Sequence, residues 1–215
     1  YEEMLEMAAA GARVLQLRAV EYARGNGVML HVRSSFTDEE GTWVREEDER
    51  MEQAIISGVV HDTSEAKITL EDVPDRPGIA SAIFRAVAEE GINVDMIVQN
   101  VSREGSTDVS FTAPKDDLAH AVRVMDGVLG EVKAARFTTD DGIAKISLVG
   151  AGMKTHPGVA AEMFSALAEA DINIEMISTS PIRIACVIRG TDVDRAVKAL
   201  HERFDLAETA EVREH

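Results

Sequence analysis

Cysteine is all but missing. Cys186 is the single one in 215 residues, so no intrachain disulfide can form. It stands in the apolar run Ile184-Ala185-Cys186-Val187-Ile188, the setting of a small buried hydrophobe rather than a nucleophile. Basic residues are few against acids, 22 to 39, and the formal charge of −17 repels phosphate backbones and acidic lipid. Aromatics make up only 4%, with none placed to stack bases on a sheet face, so a nucleic-acid partner is not expected. There is neither an uninterrupted apolar run of membrane-spanning length nor a hydrophobic leader at the amino end, which makes no membrane and a cytoplasmic location the expectation. On that reading the sequon Asn100-Val101-Ser102 is chance. The six histidines (His31, His61, His120, His156, His201 and His215) have no ligand spacing, and no serine or cysteine stands in a nucleophile motif. Acidic clusters near 38–49 lack the alternating oxygens around a central glycine that a calcium loop needs, so neither a metal nor a catalytic residue is assigned.

What remains is ordinary globular composition, 45% hydrophobic and 28% charged, long enough for one large or two small cores. Residues 1–10 have helical composition. After Gly11, the positions Val14, Leu15, Leu17, Val20 and Tyr22 suggest a second helix ending at Gly25-Asn26-Gly27, and Val28–Val32 suggests a short strand. Ser34–Arg50 is polar and acidic and reads as a loop and boundary. Two helices and one strand cannot bury both faces of anything, so this segment reads as the tail of a domain whose bulk lies outside the chain.

From Met51 onward the chain repeats itself. A shift of 80 residues lays Pro77-Gly78 on Pro157-Gly158, Phe84 on Phe164, and Ile92-Asn93-Val94-Asp95-Met96-Ile97 on Ile172-Asn173-Ile174-Glu175-Met176-Ile177. Each copy shows one apolar helical stripe after its Pro-Gly: Ile79, Ile83, Phe84 and Val87, then Val159, Met163, Phe164 and Leu167. The first copy reads as strand 66–70, helix 78–90, strand 93–101, strand 108–112, helix 115–125 and strand 131–137, the βαββαβ order of a ferredoxin-like α+β fold. The second reads as strand 144–149, helix 158–170, strand 173–178, strand 183–188 and helix 193–203, and lacks a fourth strand. The unassigned strand 54–60, just before the first copy, completes the second sheet if the first copy is inserted within the second. The alternative is a three-stranded second sheet with residues 208–215 as a ragged edge.

A proline at the first helical turn gives up only an N–H that had no helical partner, so each Pro-Gly is expected to open a helix with free backbone donors, suited to a carboxylate. Strand two of each copy alternates: Val94, Met96 and Val98 inward against Asn93, Asp95, Ile97 and Gln99 outward, and Ile174 and Met176 inward against Asn173, Glu175 and Thr179 outward. Amides for a carboxylate beside a polar strand for an ammonium would suit a free α-amino acid. The Gly150–Thr155 loop, two residues longer than its counterpart, fits neither the phosphate-loop nor the dinucleotide pattern and reads as a glycine-rich turn at a subunit contact. His156-Pro157-Gly158 carries Thr155 where the first copy has Asp75, so the two helix starts are not equivalent and the first is the better candidate.

Three stretches carry a family resemblance. Val14-Leu15-Gln16, Arg18–Glu21 and Val32–Phe36 resemble the end of an aspartate kinase catalytic domain. Asp75–Gly78 with Ile92–Met96, and Ser147–Lys154 with His156–Gly158, resemble the first and second ACT domains of the regulatory region of those kinases. The resemblance implies 1–50 as a kinase-domain remnant, 65–140 as the first ACT domain, 51–64 plus 141–207 as the second, and 208–215 as a tail. It implies that the complete enzyme makes 4-phospho-L-aspartate from ATP and L-aspartate, using ATP and Mg that this region does not itself bind. It also implies restraint by lysine, threonine or both, a homodimer through the ACT domains, and a kinase subunit as a further partner. Effector-binding positions carried across are Asp75, Gly78, Ile79, Ala80, Asp95 and Gln99 in the first domain and Asn173, Ile174 and Ser180 in the second. Departures are Leu17 where relatives have proline, Ala160 where they often have a hydroxyl residue and Pro181 where they often have an acid. Met51–Ala54 resembles the internal start of a separate regulatory subunit. Rival readings are a catalytically active kinase chain and a dimerisation module with decayed effector sites.

Overall fold

The repeated apolar stripes each bury one face of a helix or strand, and the order in which they occur sets the architecture. The computed structural model describes residues 1–46, 55–100 and 105–206. From the amino end the chain forms α1 (Glu2–Ala9), α2 (Leu17–Gly25), β1 (Leu30–Val32), β2 (Thr42–Val44) and β3 (Gly58–Asp62). The first copy supplies β4 (Glu65–Pro74), α3 (Ile79–Glu89), β5 (Ile97–Gln99), β6 (Ser106–Pro114), α4 (Leu118–Val132) and β7 (Arg136–Asp140). The second supplies β8 (Ile143–Val149), α5 (Val159–Glu169), β9 (Met176–Ser180), β10 (Arg183–Arg189) and α6 (Val193–Arg203).

Contacts divide the chain into two compact units. One comprises Tyr1–Asp62, Lys145–Ile188 and the chain from Asp192 on; the other comprises Thr63–Ala144 with Arg189–Thr191. The latter contains an antiparallel sheet in the order β5-β6-β4-β7. Ile68, Leu70, Val109 and Phe111 from its strands meet Ile79, Ile83 and Val87 of α3 and Met125, Val128 and Val132 of α4. Phe84 meets Phe111 edge to face at 5.5 Å. The other unit contains the sheet β3-β8-β10-β9, the same plan with β3 in the place that β7 holds in the first. Its core joins Ile146, Leu148, Ile184, Cys186 and Ile188 to Met163 and Leu167 of α5 and Leu200 of α6. The first copy therefore lies, in the sequence, between two strands of the second sheet. The expected strand is β3; residue 54 of the expected span falls outside the described residues, as do residues 47–53, 101–104 and 207–215, which take in the tail, the internal start and the last two residues of the sequon.

Several expectations are corrected. The helix expected to end at Met125 runs to Val132, because Val128 and Val132 continue the buried stripe through Gly127 and Gly130, and burial outweighs a glycine cost of about 1 kcal/mol each. Lys133, at φ 58°, ends it, so β7 starts at Arg136 rather than Glu131. Strands β5 and β9 begin later than expected, although Asp95 N–H still bonds Thr112 O and Glu175 N–H bonds Val187 O ahead of the regular ladders. The expected inward and outward alternation holds: Met96 and Met176 are buried, and Ile97 and Ile177 are exposed. The polar segment after Ser34 contains β2, which pairs with β1 and stacks Trp43 on His31 at 3.7 Å. In α2 only Val20 and Ala23 are buried.

Candidate functional site

Both helix starts are built alike, but not as a proline-opened turn. Gly78 and Gly158 are the N-caps, at φ 97° and 107°, and the helices begin one residue later at Ile79 and Val159. Pro77 and Pro157 thus lie outside the helices, and the left-handed glycine makes the corner. The first-turn amides have no intrahelical acceptor. Ile79 and Val159 turn inward and anchor each corner in its core.

In the first copy a bulge sharpens the approach to the corner. The β4–β6 register slips between Leu70 and Val73, Asp72 adopts φ 58°, its N–H bonds Asp108 Oδ1 at 2.9 Å and its carboxylate accepts from Ser106 Oγ. Asp75 N–H then bonds Gly105 O at 2.9 Å. Asp75, Gly78 and Ala80 are exposed and Ile79 is buried. Gln99, opposite Val109 on the edge strand β5, lies at the same end of the sheet as Asp75, which follows the Pro74–Ser106 pair. Asp95 lies four residues further down that edge, about 13 Å along an extended chain. Asp75, Gly78 and Ala80 therefore share one exposed corner, Gln99 stands on the edge strand level with Leu70 toward that end, and Asp95 lies further along the same edge.

At the equivalent end of the second sheet there is a cavity of about 440 Å³. Helix start (Gly158, Val159, Ala160), β9 end (Thr179, Ser180, Pro181), Ile184 and the turn residues Met153, Lys154 and His156 line it. Of the second-copy candidates, Ser180 lines the cavity; Asn173 and Ile174 are not among its lining residues, Asn173 being exposed and Ile174 packed on the core. Pro181 and Ala160, the two departures, are both in the wall. His156 Nδ1 meets Gly152 O at 2.9 Å; a carbonyl only accepts, so Nδ1 carries the proton. The lining has two nitrogen bases and two hydroxyls and no carboxylate, which suits an acidic group better than an ammonium.

Cys186 is fully buried, and desolvation pushes its thiol up to about 12, far from nucleophile range. Among the described residues no group of three or more His, Cys, Asp or Glu could hold a metal ion, and no helix is long and apolar enough to cross a membrane.

Comparison with known proteins fits this architecture. The ACT domain family matches residues 68–130 and again 146–204. The ligand-free regulatory subunit of aspartate kinase from Thermus thermophilus is 40% identical, with a TM-score of 0.67 over 70% of this chain and 99% of its own. The chain belongs to the aspartokinase family. An aspartokinase from Mycolicibacterium smegmatis is 53% identical over 96% of this chain but only 50% of the relative. Aspartate kinase from Synechocystis is 42% identical, with a TM-score of 0.71 over 95% of this chain and 37% of that one. The chain spans about half the length of the curated aspartokinases it matches, and corresponds to their regulatory region with its two ACT domains.

Within this aspartokinase region, Met153, Lys154 and Ile184 are wall residues not among the sequence candidates. For Met153 and Lys154 the signal was the longer Gly150–Thr155 loop, which contains the 3₁₀ turn Ala151–Lys154; Ile184, inside β10, had none.

Proposed function

We propose that this chain is the amino-acid-sensing regulatory region of an aspartate kinase, and that it conveys feedback inhibition by lysine, threonine or both. The observation that carries the proposal is the duplicated glycine-capped helix start, set beside the end of an edge strand in both copies and lined by a 440 Å³ cavity in the second. In the first copy Asp75 would hold the effector ammonium and the amides after Gly78 its carboxylate, with Ala80 beside them, Ile79 taking part through its backbone, and Gln99 and Asp95 along the edge strand bounding the site. In the second, Ser180 and Lys154 would receive the acidic end of an effector, with Asn173 and Ile174 at its margin. The unequal chemistry of the two ends supports two unequal effector sites.

The proposed boundaries are a kinase-domain remnant over 1–50, a first ACT domain over 65–140, a second over 51–64 plus 141–207, and a tail over 208–215. A homodimer through the ACT domains would complete the sites, and a kinase domain or subunit would carry ATP, Mg and the conversion of L-aspartate to 4-phospho-L-aspartate. Coupling of about 1–3 kcal/mol between effector and kinase is enough for regulation, a scale that a few differential hydrogen bonds supply. Calorimetry with lysine and threonine, apart and together, tests the reading on the wild-type chain and Asp75→Ala. Binding that Asp75→Ala weakens at least tenfold is expected, from loss of a charge-assisted bond of about 1.5–3 kcal/mol. Absence of any heat from either amino acid, with dimerisation indifferent to both, would refute sensing.

A further inference from the structure

The turn that walls the second-copy cavity is held from behind by the amino-terminal helix. Glu3 Oε1 accepts the Ala151 N–H at 2.8 Å and the Ser57 hydroxyl at 2.5 Å. Ala151 is the first residue of the 3₁₀ turn whose Met153 and Lys154 face the cavity. One helical turn on, Glu6 pairs with Arg183 at 3.3 Å, both side chains largely shielded, and Arg183 stands opposite Ser180 in the β9–β10 ladder. Helix α1 therefore touches both walls: the turn through Glu3, and the Ser180-Pro181 corner through Glu6.

The partition is thin. Lys154, Ser180 and Pro181 line the 440 Å³ cavity on one side and a second cavity, of about 700 Å³, on the other, whose far side includes Glu2 and Leu5 of α1. The turn is also pinned at its base. Gly150 N–H bonds Ile182 O at 3.0 Å, and a Cβ on Gly150 would sit 2.2 Å from Ile55 O. A shift imposed at Met153 or Lys154 has little room to dissipate at Gly150, so it must be taken up where Ala151 meets Glu3.

We infer that Glu3 is a positioning residue: it fixes the Ala151–Lys154 turn in the shape that forms the cavity, and so couples occupancy of that cavity to the seating of α1. This rests on the effector-sensing reading above. The coupling extends only as far as the bound molecule prefers the turn geometry that Glu3 prefers, and it is reciprocal. A variant that frees the turn must weaken binding by the same factor by which binding ceases to steady α1.

Amide hydrogen exchange on the whole chain tests this with Glu3→Ala and Glu3→Gln, the latter keeping an acceptor oxygen for both donors. Without ligand, Glu3→Ala should exchange Ala151 about tenfold faster than wild type, with α6 unchanged and Glu3→Gln near wild type. Unchanged exchange at Ala151 overturns the hold on the turn. With L-lysine and L-threonine as probes, whichever binds should protect α1 in wild type and Glu3→Gln. It should bind Glu3→Ala about fivefold or more weakly without protecting α1. Equal protection of α1 in Glu3→Ala overturns the coupling. Failure of both amino acids to bind wild type refutes the sensing proposal and the coupling with it, while Ala151 exchange in the ligand-free chain still decides whether Glu3 holds the turn.

Discussion

Replacing glycine by alanine should have opposite effects at two places where an added methyl group meets nothing. Around Gly78, Gly158, Gly127 and Gly130, apart from the adjoining residues and the helix's own backbone, there is no heavy atom within 4 Å of where a Cβ would stand. Steric clash with neighbours is therefore absent at all four, and backbone conformation alone sets the sign. Gly127 and Gly130 lie inside α4, so Gly130→Ala gains helix propensity and restricts the unfolded chain, a stabilisation of about 1 kcal/mol. Gly78 and Gly158 sit at φ 97° and 107°, where a side chain costs about 1–2 kcal/mol, only partly offset by the same unfolded-state term. In a chain of this length 1 kcal/mol moves Tm by about 2–4 °C. Thermal unfolding followed by circular dichroism should therefore raise Tm for Gly130→Ala and lower it for Gly78→Ala and Gly158→Ala. The reasoning fails if all three shift the same way, which would mean that the caps relax into ordinary helical geometry at no cost.

Other outcomes follow from the buried and paired groups. Cys186, with its thiol pushed up to about 12 by burial, should resist a maleimide in the folded chain and react once denaturant is added; labelling at native rates comparable to a free thiol would contradict its place in the core. Asp140 is held below the usual carboxylate range by its hydrogen bond to Arg189, at 2.5 Å, and by the Gly142 N–H. A lowered folded value means the contribution is complete above the unfolded value of 3.8 and disappears as pH falls through the folded one. Because the Asp140 and Arg189 side chains are 31% and 43% exposed, the contribution is at most about 1 kcal/mol. The urea midpoint of Asp140→Asn should therefore lie below wild type at pH 7 and approach it below pH 4; a pH-independent gap would show that the charge is irrelevant.

The repeat made most of the architecture readable. Phe84 and Phe164 pack against their cores at matching positions, and Met96 and Met176 are both buried, because the same spacing turns the same face inward; the α6 limits follow from an uninterrupted stripe between Val193 and Arg203. Where the reading missed, a local signal pointed the wrong way. The helix expected to end at Met125 runs on because the buried stripe continues past Gly127 and Gly130, and the acids around Trp43 hid a strand that pairs with β1. At the site, the polar alternation put Gln99 and Thr179 on the exposed faces of their edge strands, where the structure has them, while Ser180 came from the family resemblance alone; spacing says nothing of depth. It could not reveal that Asp95 and Gln99 lie on a different element from Asp75, nor that a turn of Ala151–Lys154 would line a cavity. Glu3, remote in sequence from everything it holds, left no local trace at all.

The order of strands also dictates an order of events. Gly58 of β3 must find Val149 of β8, while all of residues 63–144 are made between them. A chain emerging from the ribosome can complete the sheet of β4, β5, β6 and β7 from contiguous sequence, whereas β3 stays an unpaired edge until that intervening stretch has been synthesised. Folding the inserted copy first brings the two ends of that long loop closer and lowers the entropy of closing it, so the second sheet inherits its folding rate from the first. A lesion confined to the β4–β7 core would then surface as slow closure and β3-edge association in a sheet whose own residues are intact.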